Sequence, residues 1–334
     1  MCVGVAMRRR KFITMLGGAA MAWPLAARAQ QASGIPKVGF LYPGPEAYAK
    51  MRCALMLEGL GTQGFREPEQ VVVLVRATGG DPARSAPLLA ELVASKIDIL
   101  LPMGGLTLTL AAEAAAANIP IVTFDFELDP VESGLLKNLA HPGGNVTGIF
   151  LDLPDISTAW LELLKQAVPS LASIAVLWDP SMPAVAQHNA VLAAAKRLNI
   201  TTEVMEVKTP AELDSLFEAA AARRPDGLLM LTAPLMSIYS KQIAELTLKY
   251  RLPAISMFSS FARAGGLMAY GPNLEDLYRE VGVMTGKILK GTTPADLPAE
   301  RPARFELVVN LKAAKALDLN ISNLVLARAD EVIE

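Results

Sequence analysis

From residue 37 the chain alternates short, almost continuously apolar runs with longer stretches whose apolar residues recur every three or four positions. KVGFLY (37–42), VVVLVR (71–76), IDILLPM (97–103) and IPIVTFDF (119–126) read as strands covered on both faces, because a half-exposed strand would alternate. The stretches between them read as helices. Asp81-Pro82 supplies an N-cap and a first-turn proline, and APLLAELVASK continues with helical spacing. Strand and helix in regular alternation predict a parallel sheet with helical crossovers.

The same scheme occurs a second time, in SIAVLWD (173–179), TTEVMEV (201–207), DGLLMLT (226–232) and LPAISMF (252–258). Local phrases also recur: KIDILLPMGG near 100 matches PDGLLMLTAP near 229, and NIPIVTFDF near 122 matches RLPAISMFSS near 255. Two similar α/β lobes account for this economically, although any two parallel sheets share phrases of the kind. Between them, LAHPGGNVTGIFLDLPD (139–155) loses helical patterning at Pro142, Gly143 and Gly144 and reads as a crossing segment. Further on, 265–291 reads as strand, turn and helix, and RFELVVNLKAAKAL (304–317) as one more strand and helix.

Composition narrows the class. With 334 residues, 52% of them hydrophobic and 19% charged, the chain exceeds one ordinary core and is neither disordered, collagenous nor coiled coil. Its 31 Lys+Arg against 33 Asp+Glu offer no basic footprint for nucleic acid. Cys2 and Cys53 with His141 and His188 make neither a disulfide framework nor a zinc-type cluster, so no metal or cofactor is expected. Cys53, in a helical pattern, reads as a small buried hydrophobe.

The first thirty residues read as an address. Arg8, Arg9, Arg10 and Lys11 precede the mostly apolar FITMLGGAAMAWPLAA (12–27), and Ala27-Arg28-Ala29 follows as a cleavage site. Arg9-Arg10-Lys11-Phe12-Ile13 is similar to the twin-arginine export motif; Arg8 replaces the Ser or Thr that usually precedes the pair, which leaves the general secretion route open. Cleavage after Ala29 removes five positive residues and no acidic one, leaving 26 positive against 33 negative and a net charge of −7. No later segment supplies about 18 uninterrupted apolar residues. The expectation is a periplasmic chain that does not span the membrane.

Catalytic motifs are missing. There is no G-x-S-x-G elbow, no phosphate-cradling G-x-x-x-x-G-K-[ST] and no G-x-G-x-x-G after the first strand, and neither histidine is placed to serve a nucleophile. An enzyme is therefore not expected. The densest acidic cluster is Asp125, Glu127 and Asp129 in TFDFELDPVESG (123–134). Three readings stand: a solvated turn before Pro130, a carboxylate facing a ligand cation such as an ammonium, or the acid and base of a secreted hydrolase. Alternation would put Asp125 and Glu127 on one side of the extended chain.

In parallel α/β sheets ligands bind beyond the carboxyl ends of the strands. That rule selects Tyr42-Pro43-Gly44, Met103-Gly104-Gly105-Leu106-Thr107, Asp125 to Glu127, Trp178-Asp179-Pro180, Thr232-Ala233-Pro234 and Phe258-Ser259-Ser260. Gly104, Gly105 and Thr107 precede an Ala-rich helix whose free N–H groups suit a carboxylate. Tyr42, Trp178 and Phe258 suit a flat or apolar ligand, although such a residue alone is more often core or rim packing.

Three strings, HPGGNVTGIF (141–150), ARAGGLMAYGPNLEDLYREVG (262–282) and ILKGTTPADLPAERPARFELVVNLKAAKALDL (288–319), resemble the bacterial ABC-transporter substrate-binding proteins that include the TrpX-like members. The likeness runs from PKVGFLYPGP (36–45) to LARADEVIE (326–334). It implies a type I periplasmic binding fold, two lobes joined by three crossovers: 36–150 plus 268–292, and 151–267 plus 293–334. It also implies a protein that closes on a small ligand and presents it to an inner-membrane permease and its ATPase; the loops suggest an amino acid or an aromatic or aliphatic carboxylate as that ligand, and a monomer is expected. The family's binding loops fall on Tyr42 to Pro45, Met103 to Thr107 and Phe124 to Glu127. The second-lobe wall falls on Trp178, Asp179, Leu231 to Ala233 and Phe258, with Tyr270 at the return crossing. The third loop departs from the family, with Gly104-Gly105-Leu106 where many members carry Gly-Thr-Pro or Ser-Thr-Pro, so it does not assign tryptophan. A sensory binding protein that feeds a receptor and, more remotely, the secreted hydrolase using Asp125 and Glu127 are the competing classes.

Overall fold

The apolar runs become two sheets, and the division follows the repeat in the sequence. The structure, a computed structural model, describes residues 34–126, 129–151, 153–180, 185–302 and 304–334; the expected export signal and Glu127 lie outside them. The first sheet holds β1 (Lys37–Tyr42), β2 (Val72–Ala77), β3 (Ile99–Pro102), β4 (Ile121–Asp125) and β5 (Val146–Phe150), all parallel in the order β2-β1-β3-β4-β5. Its helices include α1 (Glu46–Thr62), α2 (Ser85–Ala94) and α3 (Gly105–Ala115). Strands β3, β4 and β5 are buried along their whole length, which is why they carry unbroken apolar runs, while the edge strand β2 is half-buried throughout. Asp81 caps as expected: its side chain accepts from the Ala83 N–H at 2.9 Å and opens a 3₁₀ turn, Pro82–Arg84, ahead of α2.

The second sheet holds β6 (Ser173–Trp178), β7 (Thr201–Glu206), β8 (Gly227–Met230), β9 (Ala254–Ser256), β10 (Met268–Pro272), β11 (Phe305–Asn310) and β12 (Glu331–Ile333), in the order β12-β11-β10-β9-β8-β6-β7. Only the β10–β11 pair is antiparallel. Its helices are α4 (Leu153–Ala167), α5 (Val185–Arg197), α6 (Leu213–Arg223), α7 (Pro234–Ile238), α8 (Ser240–Lys249) and α9 (Ser259–Arg263). The order β7-β6-β8-β9-β10 reproduces β2-β1-β3-β4-β5 strand for strand. The repeated phrases fall on β3 with β8 and on β4 with β9, so the repetition is topological.

The crossings lie a few residues from where the sequence suggested. NVTGIF, within the expected crossing segment, is β5 itself, and the chain passes to the second sheet only after Phe150. Met268–Pro272 pairs with β9 and β11 in the second sheet, so the return falls at Asn273 rather than at 268. Helix α10 (Leu274–Leu289) then packs on α1. The segment after it runs beside β5: Thr147 Oγ1 donates to Leu297 O at 2.8 Å, and Glu300 N to Gly148 O at 2.9 Å. The stretch from 293 to 300 thus lies with the first sheet, and the third crossing leads from Arg301 into β11. An apolar run marks a strand but not the sheet that receives it, which is why these boundaries moved. After β11 come the short helices α11 (Leu311–Ala316) and α12 (Asn323–Leu326).

Helix α10 returns with its first turn organised by Asn273, whose side chain accepts from the N–H groups of Glu275 and Asp276 at 2.9 and 3.2 Å. It meets α1 backbone to backbone. A Cβ on Gly282 would stand 2.0 Å from Met56 O, and one on Gly59 1.8 Å from Arg279 O; neither obstacle is a flexible side chain, so any larger residue must push the helices apart. At the opposite end of the second sheet Asp226 ties β6 to β8, accepting from the N–H groups of Ala172 and Ser173 and from the Ser173 hydroxyl, each at 2.9 Å. Burial alone would raise this carboxyl, but these donors outweigh it and hold it below the ordinary aspartate value.

Two outcomes follow for stability. Gly282→Ala should cost about 1–3 kcal/mol in chemical denaturation, whereas Gly61→Ala, on α1 with open space around it, should stay within about 1 kcal/mol and lean towards stabilising. Asp226→Ala should cost about 1–3 kcal/mol at neutral pH. Because the folded-state pKa is depressed, that contribution is full above the unfolded value, about 4, and vanishes as pH falls through the folded value, so parent and variant should converge in acid denaturation.

Candidate functional site

The carboxyl ends of β1, β3 and β4 face those of β8 and β9 across a cleft, as parallel topology requires. Counted out to its open mouth, solvent space included, the cleft encloses about 550 Å³. Tyr42 and Pro43 enter it from the end of β1, Met103, Gly104 and Gly105 from the end of β3, and Phe124 and Phe126 from β4. The second lobe contributes Thr232, Ala233, Pro234, Ser237 and Phe258, and the returning helix α10 contributes Leu274 and Tyr278. Among the described residues none of the lining side chains is charged.

Each wall is fixed from behind. In the first lobe Phe124 stacks on Phe126 with centroids 4.9 Å apart, and Tyr278 stands edge-on to Phe124 at 5.0 Å. Gly105 adopts φ +77° where the chain turns into α3, a conformation that favours glycine. In the second lobe the buried Gln187 holds Thr232 at two points: its Nε2 donates to Thr232 Oγ1 at 3.1 Å and its Oε1 accepts from the Thr232 N–H at 3.0 Å. Pro234 opens α7 at its first turn. The lobes also touch beside the cleft, where the Tyr48 hydroxyl donates to Ile238 O at 3.2 Å.

The expected site residues divide. Tyr42, Pro43, Met103, Gly104, Gly105, Thr232 and Phe258 line the cleft. Gly44 sits at its edge, where a Cβ would meet Ile238 Cδ1 at 2.8 Å. Thr107 falls in the first turn of α3, and Glu127 lies outside the described residues. Asp125 corrects an expectation: alternation along β4 sends Phe124 and Phe126 to the cleft, and Asp125, 1% exposed, is engaged within the protein. The carboxylate expected to face the ligand is therefore turned away from the lining. Trp178 stacks on His188 at 4.9 Å, so it packs against α5 and does not line the cleft. Asp179 beside it is buried and engaged. Tyr270 packs against Phe305, and its carbonyl accepts from Trp160 Nε1 at 2.6 Å; it braces the second lobe.

Sequence reasoning missed Ser237, Leu274 and Tyr278, and took in Phe126 only as part of the loop from Asp125 to Glu127. Phe126 was legible from the alternation that singled out Asp125, read in the opposite phase. Leu274 and Tyr278 had no local signal, because they lie in a helix that reaches the first lobe from the second sheet. Burial keeps both cleft tyrosines protonated: it raises Tyr42 against the lowering influence of Arg52, and raises Tyr278 well above its ordinary value. Burial also pushes the Cys53 thiol up to about 12, in keeping with a structural role. Among the described residues no three His, Cys, Asp or Glu side chains are grouped to hold a metal, and no helix is long and apolar enough to cross a membrane.

Comparison with known proteins places this geometry. A tyrosine-binding protein of Clostridioides difficile is 24% identical over 279 residues, covering 82% of this chain and 79% of the relative. A conserved domain protein of Vibrio cholerae superposes with a TM-score of 0.81 at 24% identity, over 90% of this chain and all of that one. An ABC domain from Streptococcus pneumonia in complex with L-Trp superposes at 0.79, also at 24% identity, over 90% of this chain and 100% of its own. The fold is the type I periplasmic binding fold that the resemblance implied, with the parallel-sheet lobes that the alternation predicted. Residues 45–333 match the family described as ABC transporter substrate binding protein, and the chain belongs to that family.

Proposed function

We propose that the chain is exported, loses residues 1–29 and serves in the periplasm as the solute-binding subunit of an ABC importer. It captures a small organic ligand, an amino acid or an aromatic or aliphatic carboxylate, between the lobes and presents it to the membrane permease and its ATPase. The observation that carries this reading is the cleft itself, where five aromatic rings, Tyr42, Phe124, Phe126, Phe258 and Tyr278, line an opening between two lobes joined by short crossings. Such a lining suits the flat or apolar body of a ligand, and the N–H groups at the start of α3, beyond Gly104, suit a carboxylate. A relative named for tyrosine and a neighbour crystallised with L-Trp support the same ligand class. Closure works by differential affinity: a ligand that bridges both walls favours the closed arrangement, and the crossings act as hinges.

The test is a thermal-shift screen of the chain from Gln30, freed of bound ligand by unfolding and refolding, against amino acids, aromatic acids and short carboxylates. At about 100 times Kd a ligand adds roughly 2.7 kcal/mol, several degrees in the midpoint. One chemical class should shift the midpoint and be recovered unaltered. Recovery of a chemically changed compound, or no shift from well-folded protein across the library, contradicts the reading.

A further inference from the structure

Behind the cleft's aromatic wall lies a charge with no counterion among the described residues. Arg52, on the buried face of α1, is only 8% exposed. It takes part in none of the ion pairs among the described residues, and its Nε has no hydrogen-bond partner. Its guanidinium carbon lies 5.3 Å from the centroid of the Tyr278 ring, and it acts on Tyr42 through its charge and a side-chain hydrogen bond. Both tyrosines line the cleft.

A buried arginine is costly unless it is paired with an opposite charge, and a cation–π contact with a hydrogen bond to a neutral tyrosine offsets only part of that cost. Its helix neighbours Cys53 and Met56 are buried and apolar, so an apolar residue at 52 would serve the core better. The two acids of α1 are already paired, Glu46 with Lys50 and Glu58 with Arg279. We infer that Arg52 is a specificity-determining residue. Acting through the Tyr42 and Tyr278 corner of the cleft, it makes the site select a ligand that carries an anionic group, and that group completes the charge balance the protein leaves open. The inference rests on the solute-binding reading and adds to it the residue that reads the anion.

The test uses matched probes on the chain from Gln30: L-tyrosine with L-tyrosinamide, L-tryptophan with L-tryptophanamide, phenylacetate with phenylacetamide, and leucine with leucinamide. Affinities are measured by calorimetry for the parent and for Arg52→Met, Arg52→Gln and Arg52→Lys. In the parent, the acids that bind should do so at least about tenfold more tightly than their amides. Arg52→Met should weaken the acids by about 10- to 100-fold and leave the amides unchanged, so the acid-to-amide preference collapses. Arg52→Lys should keep part of it, and Arg52→Gln covers the case in which the Met variant fails to fold. The ligand-free Met variant should melt at or above the parent, because a purely structural arginine would lower it. Equal binding of acid and amide by the parent, or an unchanged preference in the Met and Gln variants, overturns the inference and leaves the solute-binding reading standing. No binding by any probe, charged or neutral, counts against both.

Discussion

The site depends on one close approach. Helix α10 follows a strand of the second sheet, yet it lies against α1 of the first lobe with no side chain between the two backbones, because Gly59 and Gly282 present none. That contact fixes where the returning chain stands. It brings Leu274 and Tyr278 to the cleft, sets Tyr278 edge-on to Phe124 and holds the Tyr278 ring against Arg52. A helix displaced by a single methyl group would move one wall of the cleft relative to the other, so the glycines govern the shape of the site without touching what it holds.

The strand ends supply the rest. Five parallel strands in the first lobe and the corresponding five in the second deliver their loops to the two sides of one opening, and the loops differ in how they are held. Thr232 is clamped by Gln187, while the stacked pair of Phe124 and Phe126 continues the buried strand β4. Such preorganised walls lose little freedom when a ligand arrives, which leaves more of the contact energy for affinity. The described lining is largely aromatic and uncharged, and the buried Arg52 stands behind its Tyr42 and Tyr278 corner. That arrangement suits a ligand with an apolar body and a single polar end.

Much of this was legible in the sequence. Unbroken apolar runs gave the buried strands, the repeated phrases near 100 and 229 fell on equivalent strands, and the loop rule found half of the expected cleft residues. What escaped has physical reasons. An apolar run does not say which sheet receives it, so Met268–Pro272 was expected on the wrong side of the return crossing. Alternation has two phases, and at TFDF the carboxylate attracted attention while the phenylalanines occupied the cleft. Trp178 looked like a ligand platform because it ends a strand, but it found His188 instead. Tyr278 and Arg52 belong to helix faces whose meaning comes only from the partner helix, and no local pattern distinguishes them from ordinary core.

The most direct test of the account is a crystal structure of the protein saturated with a ligand identified by screening. The account predicts ligand density between the lobes, with its apolar body against Phe124, Phe126 and Phe258 and its polar end towards Tyr42 and Tyr278. Density anywhere else, for example in the surface groove between α11 and α12 bordered by Leu311 and Leu326, with the interlobe cleft unoccupied, would contradict it.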